Sequence, residues 1–417
     1  MSFYIFLFLT FILIGRPQDI FPSLVPLRLA LVFTIITLLA TFVGNKKRIL
    51  HDLFKLKESK QYALFYMLMI IGIPLAYHRR EAFNYIFLLY LSNIFFFYIF
   101  ISQVDSFKKV KSIIFTVCFS TLFYGLFSLA KGSFSNRYLG FTSGEGVSWM
   151  TDQRFSFGAM YDPNDLAYFL VSLFPLSFFY LAHNEGIFKK IFATTIALLS
   201  VGIILLTGSR CGFIGLLAVS ILFFFTKLVG LKWSLKVLLL VASVIVLMLY
   251  DKELNMGRFK ALSEIQGDYN VTAEDGRLGI WKKGFRLILS NPITGVGVNC
   301  FGQAIGEMRQ AENEIPRWQA EHNSFLQIAA EVGLIGFIIF GALVFGCIKN
   351  FSRIRRVEVL TPEAREVKTV AGLLQVGFIG SLLVAFFLTQ GYSLIFTLYF
   401  ALSAVMRKVS FNLNNTD

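Results

Sequence analysis

Three polar features interrupt an otherwise apolar chain, and each carries residues able to do chemistry. His322 lies between Glu321 and Asn323, where a long polar stretch gives way to an apolar run. An imidazole titrates near neutral pH and can serve as a general base. Arg210 sits in Thr207-Gly208-Ser209-Arg210-Cys211-Gly212, between two apolar runs with almost no loop to hold it. An arginine at that depth is costly unless an anion or a hydrogen-bond network satisfies it. The flanking glycines leave room for a bulky ligand and expose backbone N–H groups. Arg277 opens a third feature, a basic amphipathic stretch with Lys282, Lys283 and Arg286. Each has a plainer reading: a structural histidine, a snorkelling arginine, and a scaffold helix packed on its neighbours.

Other residues point to structure. Gly295-Val296-Gly297 resembles part of a dinucleotide fingerprint, but the third glycine is misplaced, so a tight turn is expected. In Asp162-Pro163-Asn164-Asp165, Asp162 or Asn164 is expected to cap a helix. Cys118, Cys211, Cys300 and Cys347 show no metal or disulfide spacing and read as small apolar residues. His51, His78 and His183 lie at span ends or in other loops, which leaves His322 the histidine best placed for chemistry.

The elements that must position these residues are membrane spans. Of 417 residues, 56% are hydrophobic and 15% charged, against about 25% charged in a soluble domain. The expected fold is therefore an all-α polytopic membrane protein. Apolar runs suggest about twelve spans: 2–15, 24–43, 61–77, 83–102, 112–130, 164–183, 190–207, 211–229, 233–250, 324–348, 369–389 and 391–406. Residues 1–250 would form nine spans, the first retained rather than cleaved. Residues 251–323 would form a large periplasmic loop domain, and 324–417 the last three spans. Two amphipathic helices are expected in the loop. One covers 254–265. The other begins at Arg277, ends at Asn291-Pro292, and shares Leu278, Trp281, Phe285 and Ile288 on one face.

The net charge of +14 does not indicate nucleic acid. Lys and Arg crowd alternate loops, such as Lys46–Lys60, Lys108–Lys111 and Arg353–Lys368, as the positive-inside rule demands. Both termini would then be cytoplasmic, with Arg210, Arg277 and His322 on the opposite face.

Three stretches together resemble the O-antigen ligase and Wzy-type polymerase superfamily of bacterial envelopes. Thr207-Gly208-Ser209-Arg210-Cys211-Gly212-Phe213 resembles its Ser-Arg-Gly-Gly segment, with Cys211 replacing a glycine. Arg277-Leu278-Gly279-Ile280-Trp281 and Asn291-Pro292-Ile293-Thr294-Gly295-Val296-Gly297 resemble its Arg-x-x-x-Trp and Pro-x-x-Gly-x-Gly pair. Glu321-His322-Asn323, followed by Glu331-Val332-Gly333-Leu334-Ile335-Gly336, resembles its His-Asn and Glu-x-Gly-x-x-Gly run. Arg16-Pro17-Gln18-Asp19 is similar to the start of ligases found beside exopolysaccharide or protein-sorting clusters.

The resemblance implies a glycosyltransferase of the bacterial inner membrane. The donor would be an undecaprenyl-diphosphate-linked glycan, and the acceptor lipid A core, a protein or another glycan. By the same resemblance Arg210 and Arg277 bind the diphosphate, and His322 takes a proton from the acceptor hydroxyl as that oxygen attacks with inversion. Charge-assisted contacts of roughly 1.5–3 kcal/mol each could stand in for a metal, so no metal and no cofactor is expected. Read from position rather than from the resemblance, Lys282, Lys283 and Arg286 would add donor or lipid contacts, and Glu321 would orient His322. A Wzy-type polymerase differs only in acceptor. A polysaccharide exporter or flippase would need charges inside the spans, which are nearly absent. An interaction scaffold is a further alternative.

Overall fold

The structure is a computed structural model that describes residues 1–143, 146–158, 162–183, 186–225, 276–358 and 361–414. The expected ninth span at 233–250, the expected helix at 254–265, and the loop up to residue 275 lie outside the described residues.

Helices dominate. Thirteen are used below: α1 (Ser2–Gly15), α2 (Leu29–Lys55), α3 (Lys57–Gly72), α4 (Arg79–Gln103), α5 (Phe107–Lys131), α6 (Pro163–Ala182), α7 (Ile187–Thr207), α8 (Arg210–Phe225), α9 (Arg277–Ser290), α10 (Phe301–Ala311), α11 (Ser324–Arg356), α12 (Pro362–Ala385) and α13 (Leu394–Asn414). Among the described residues, eight helical segments are long and apolar enough to cross a membrane, and α1 and α8 are shorter apolar helices. The chain is thus a multi-pass helical membrane protein. Its packed interior runs the length of the bundle, with Phe6, Phe96, Phe100, Phe178, Phe378 and Tyr399 fully buried.

One element departs from the all-α expectation. Between the expected spans 112–130 and 164–183, Ser133–Ser143 (β1) and Gly146–Ser156 (β2) form an antiparallel hairpin, with Ser133 opposite Ser156. The two strands pair the backbone groups that face each other, and among the described residues their outer edges take no third strand. This one also carries Arg154 back to the bundle.

The second departure is inside α11. The expected span begins near residue 324, and the helix does, but it breaks at Gly333 (φ 77°, ψ 176°). That backbone region is essentially restricted to glycine, and a Cβ there would stand 2.3 Å from the Ile293 carbonyl oxygen. The break frees backbone groups that must find partners away from water. The Pro292–Gly297 turn supplies them. Val296 N–H donates to Ala330 O (2.8 Å), Gly297 N–H to Glu331 O (3.1 Å), and Leu334 N–H to Pro292 O (2.8 Å). The expected tight turn at 295–297 is therefore present, and its task is to splint a broken helix.

A small separate core seats the segment 276–323 on the bundle. Ile280 and Leu287 of α9, Phe301 and Ile305 of α10, and Leu326 and Ala330 of α11 pack together with Ala76 and Ala82. Helix α9 starts and stops where its sequence suggests, and its expected apolar face is packed in part. Ile288 is buried and Trp281 half-buried, whereas Leu278 and Phe285 are exposed, and Ile280, Gly284 and Leu287 complete the buried side. Packing selects the side on which Gly284 lets Leu326 approach.

Candidate functional site

Arg210 is the first residue of α8, directly after a turn that reverses the chain from α7. Gly208 takes the left-handed conformation (φ 57°), which glycine adopts without steric cost. Ser209 then caps α8, its Oγ accepting from Gly212 N–H at 3.1 Å. Two remote residues brace the turn. Arg154, buried on β2, donates from Nε to Thr207 O (2.9 Å) and from Nη2 to Asn164 Oδ1 (2.8 Å). The same Asn164 oxygen accepts from Ser209 Oγ at 2.7 Å. Cys211 fits here because its thiol is buried beside Ser209 Oγ (3.1 Å). Gly212 has no such room, since a Cβ would stand 2.6 Å from that of Ala167.

His322 occupies a second turn, just before α11. It is half-buried and left-handed (φ 47°), a conformation uncommon for a residue with a side chain. Its N–H donates to Thr389 Oγ1 (3.1 Å), which donates to Glu321 Oε2 (3.2 Å). The Glu321 carbonyl accepts from Trp281 Nε1 of α9 at 2.9 Å. Asn323 caps α11, accepting from Phe325 and Leu326 N–H, both at 3.0 Å.

The first turn of α6 joins the two turns. Asp162 caps that helix, as expected, by accepting from Asn164 N–H (2.7 Å). Asn164 reaches Ser209, and Asp165 accepts from Gln390 Nε2 (2.9 Å), next to the Thr389 that holds His322. Arg210, 112 positions earlier in sequence than His322, is thereby tied to it through a chain of short contacts. Electrostatics agree with this placement. Arg277 acts on both Cys211, beside Arg210, and His322, and Asp162 also acts on His322. Burial first, then the positive charge of Arg277, lowers the His322 pKa below the ordinary imidazole value, while Asp162 opposes them. A shift in that direction favours the neutral, proton-accepting form of the imidazole.

Residues 195–341 match the family model described as O-antigen ligase. Over that segment the chain is similar to O-antigen ligases. No curated protein matches it. The matched segment contains Arg210, Arg277, Glu321 and His322, whereas Arg154, the start of α6 and Thr389 lie outside it.

The remaining expected residues take distinct positions. Lys283 is buried and paired with Glu314 (2.7 Å), and Arg286 pairs with Glu312, so both cations are turned toward the segment before His322. Lys282 is exposed. Glu321 is buried, and its carboxyl bonds to Thr389 rather than lying free beside the imidazole. Burial, and then the neighbouring Glu331, push its pKa well above the ordinary carboxylate value. Glu321 thus braces the backbone of the His322 turn through Thr389 and Trp281.

Sequence reasoning missed Arg154, Asn164, Asp165, Thr389 and Gln390 as parts of this arrangement. Only the Asp-Pro-Asn-Asp run offered a signal, and it pointed to a cap. Among the described residues, no three His, Cys, Asp or Glu side chains are grouped so as to hold a metal ion.

Proposed function

We propose that this protein transfers a glycan from an undecaprenyl-diphosphate carrier to an acceptor hydroxyl at the periplasmic face of a bacterial inner membrane. The observation that supports the reading is that the turn before Arg210 and the turn at His322 are joined through the first turn of α6, with Arg277 near enough to act on His322. A diphosphate leaving group needs cations, and an attacking hydroxyl needs a base; those three residues supply both. Both arginines would bind the diphosphate, with bidentate contacts where geometry allows. The helix start of α6 adds N–H groups and a favourable dipole end. His322 Nδ1 or Nε2 takes the acceptor proton as the hydroxyl oxygen bonds to the anomeric carbon. The bond from that carbon to the diphosphate breaks on the opposite side, with inversion, and the diphosphate leaves with the electron pair. Donor and acceptor held in line contribute much of the rate. Lys282 remains a surface cation available to lipid or donor phosphate.

A twelve-span topology with cytoplasmic termini fits the alternation of basic loops. A ligase acceptor, such as lipid A core or a protein, is favoured over a second carrier-linked unit by the long polar segment after the ninth expected span and the Arg16-Pro17-Gln18 start.

The test is transfer by the purified full chain from an undecaprenyl-diphosphate glycan, with His322→Ala, Arg210→Ala and Arg277→Ala compared. Wild-type rates in all three variants would overturn the mechanism. Chelation by EDTA is expected to leave transfer intact. In a deletion strain, unattached long chains mark a ligase, and single repeat units mark a polymerase.

A further inference from the structure

The segment between α10 and His322 is irregular, yet buried charges hold it in place. Arg309 is 7% exposed and donates from Nε to Ile315 O (3.0 Å) while pairing with Glu314 (3.3 Å). Lys283, also 7% exposed, meets the same Glu314 carboxylate. Glu314 N–H closes the turn on Arg309 O at 2.8 Å. Buried cations are costly unless paired and hydrogen-bonded, so a loop built around two of them keeps one shape. What that loop presents outward is apolar. Ile315 is 73% exposed and Trp318 72% exposed. The pyrrole side of the Trp318 indole rests on Gly306, where a Cβ would come within 3.2 Å of Nε1. Large apolar groups held outward on a fixed loop mark a recognition surface.

A bilayer is a poor occupant for this surface. The backbone is irregular, Glu312, Asn313 and Arg317 are exposed around it, and such backbone does not enter hydrocarbon. A sugar ring fits better, having an apolar C–H face that can lie on an indole and hydroxyls that meet the polar rim. Trp318 is four residues from His322, so the two are separated by at most about 14 Å of chain.

We propose that Trp318 is a stacking platform for a sugar ring of the glycan handled at His322. This rests on the glycan-transfer reading above. It adds a subsite on the loop 312–320 that recognises sugar rather than diphosphate.

The probe is the oligosaccharide released by mild acid from the host cell's own carrier-linked glycan. Its binding to the full chain in detergent micelles would be measured by saturation-transfer NMR, and transfer would be assayed in parallel. Trp318→Ala is expected to weaken oligosaccharide binding about tenfold or more. Trp318→Tyr should recover most of that loss, and the KM for donor or acceptor should rise with kcat little changed. Equal binding by wild type and Trp318→Ala would overturn the platform while leaving the transfer reading standing. No binding by wild type, together with no transfer, would overturn both. A third arm uses a variant retaining Trp318 as its sole tryptophan, placed in bilayers of brominated phospholipid. Strong quenching that added oligosaccharide does not relieve would identify a membrane-facing residue and overturn the proposal.

Discussion

The turn before Arg210 and the turn at His322 solve one problem in two ways. Each reverses or redirects the chain at the same end of the bundle, and each passes through the left-handed region. The first does so at Gly208 (φ 57°), the second at His322 itself (φ 47°). Glycine makes the first turn cheap, and its bracing comes from Arg154 and Asn164 on other elements. The second turn places the reacting candidate in the strained position, and Thr389, Trp281 and Asn323 hold it there. Strain retained at a residue with a side chain needs a surrounding structure that over-determines it. The comparison teaches that the His322 side chain, rather than an easy turn, is what this position preserves.

Removing that side chain should have the largest effect. His322→Ala is expected to lower transfer by about 10²–10⁴-fold, the range for loss of a positioned base, in a single-turnover assay. Unbracing the other turn comes next. Arg154→Met leaves the Thr207 carbonyl without its charged donor, which should cost about 1.5–3 kcal/mol of stability. Thermal unfolding in detergent would show this, and the donor KM should rise because Arg210 is no longer aimed. The equivalent brace at His322 is neutral, so Thr389→Val should cost less, about 1 kcal/mol, while transfer still falls measurably. A stability loss in Thr389→Val equal to that in Arg154→Met would break the comparison.

The next expected effect concerns charge. With four histidines in the chain, NMR can follow each imidazole. His322 should titrate below about 6.5, the unperturbed imidazole value. Arg277→Gln removes a positive neighbour and should raise that pKa, whereas Asp162→Asn removes a negative one and should lower it. Shifts of the same sign would place the two groups elsewhere. The smallest effect isolates backbone strain. His322→Gly should be more stable than His322→Ala by about 1 kcal/mol, since only the alanine pays for φ above zero, although both lack the base.

Much of the architecture follows from short-range pattern. The apolar runs, the start of α9 at Arg277 and its stop at Asn291-Pro292, the Asp162 cap and the glycine turn at 295–297 were all readable from neighbours a few residues apart. The hairpin 133–156 was not, because its strands lie within what polarity marks as loop. The break at Gly333 was also hidden. A single glycine is tolerated inside a helix, and what turns it into a break is the Pro292–Gly297 turn arriving to take the freed backbone groups. The basic face of α9 was read correctly as charge and incompletely as contact, because Glu312 and Glu314 come from a segment with no periodicity of its own.

The sequence by itself therefore determined a helical membrane protein and named Arg210, Arg277 and His322 as the residues to watch. Helix caps, spans and turns depend on residues within one or two turns of each other, and those spacings are written in the chain. Only the tertiary structure decided how the turns that carry Arg210 and His322 are joined through the start of α6. Arg154 reaches Thr207 across 53 positions, and Gln390 reaches Asp165 across 225. Contacts of that separation arise from how helices pack, and no local spacing records them.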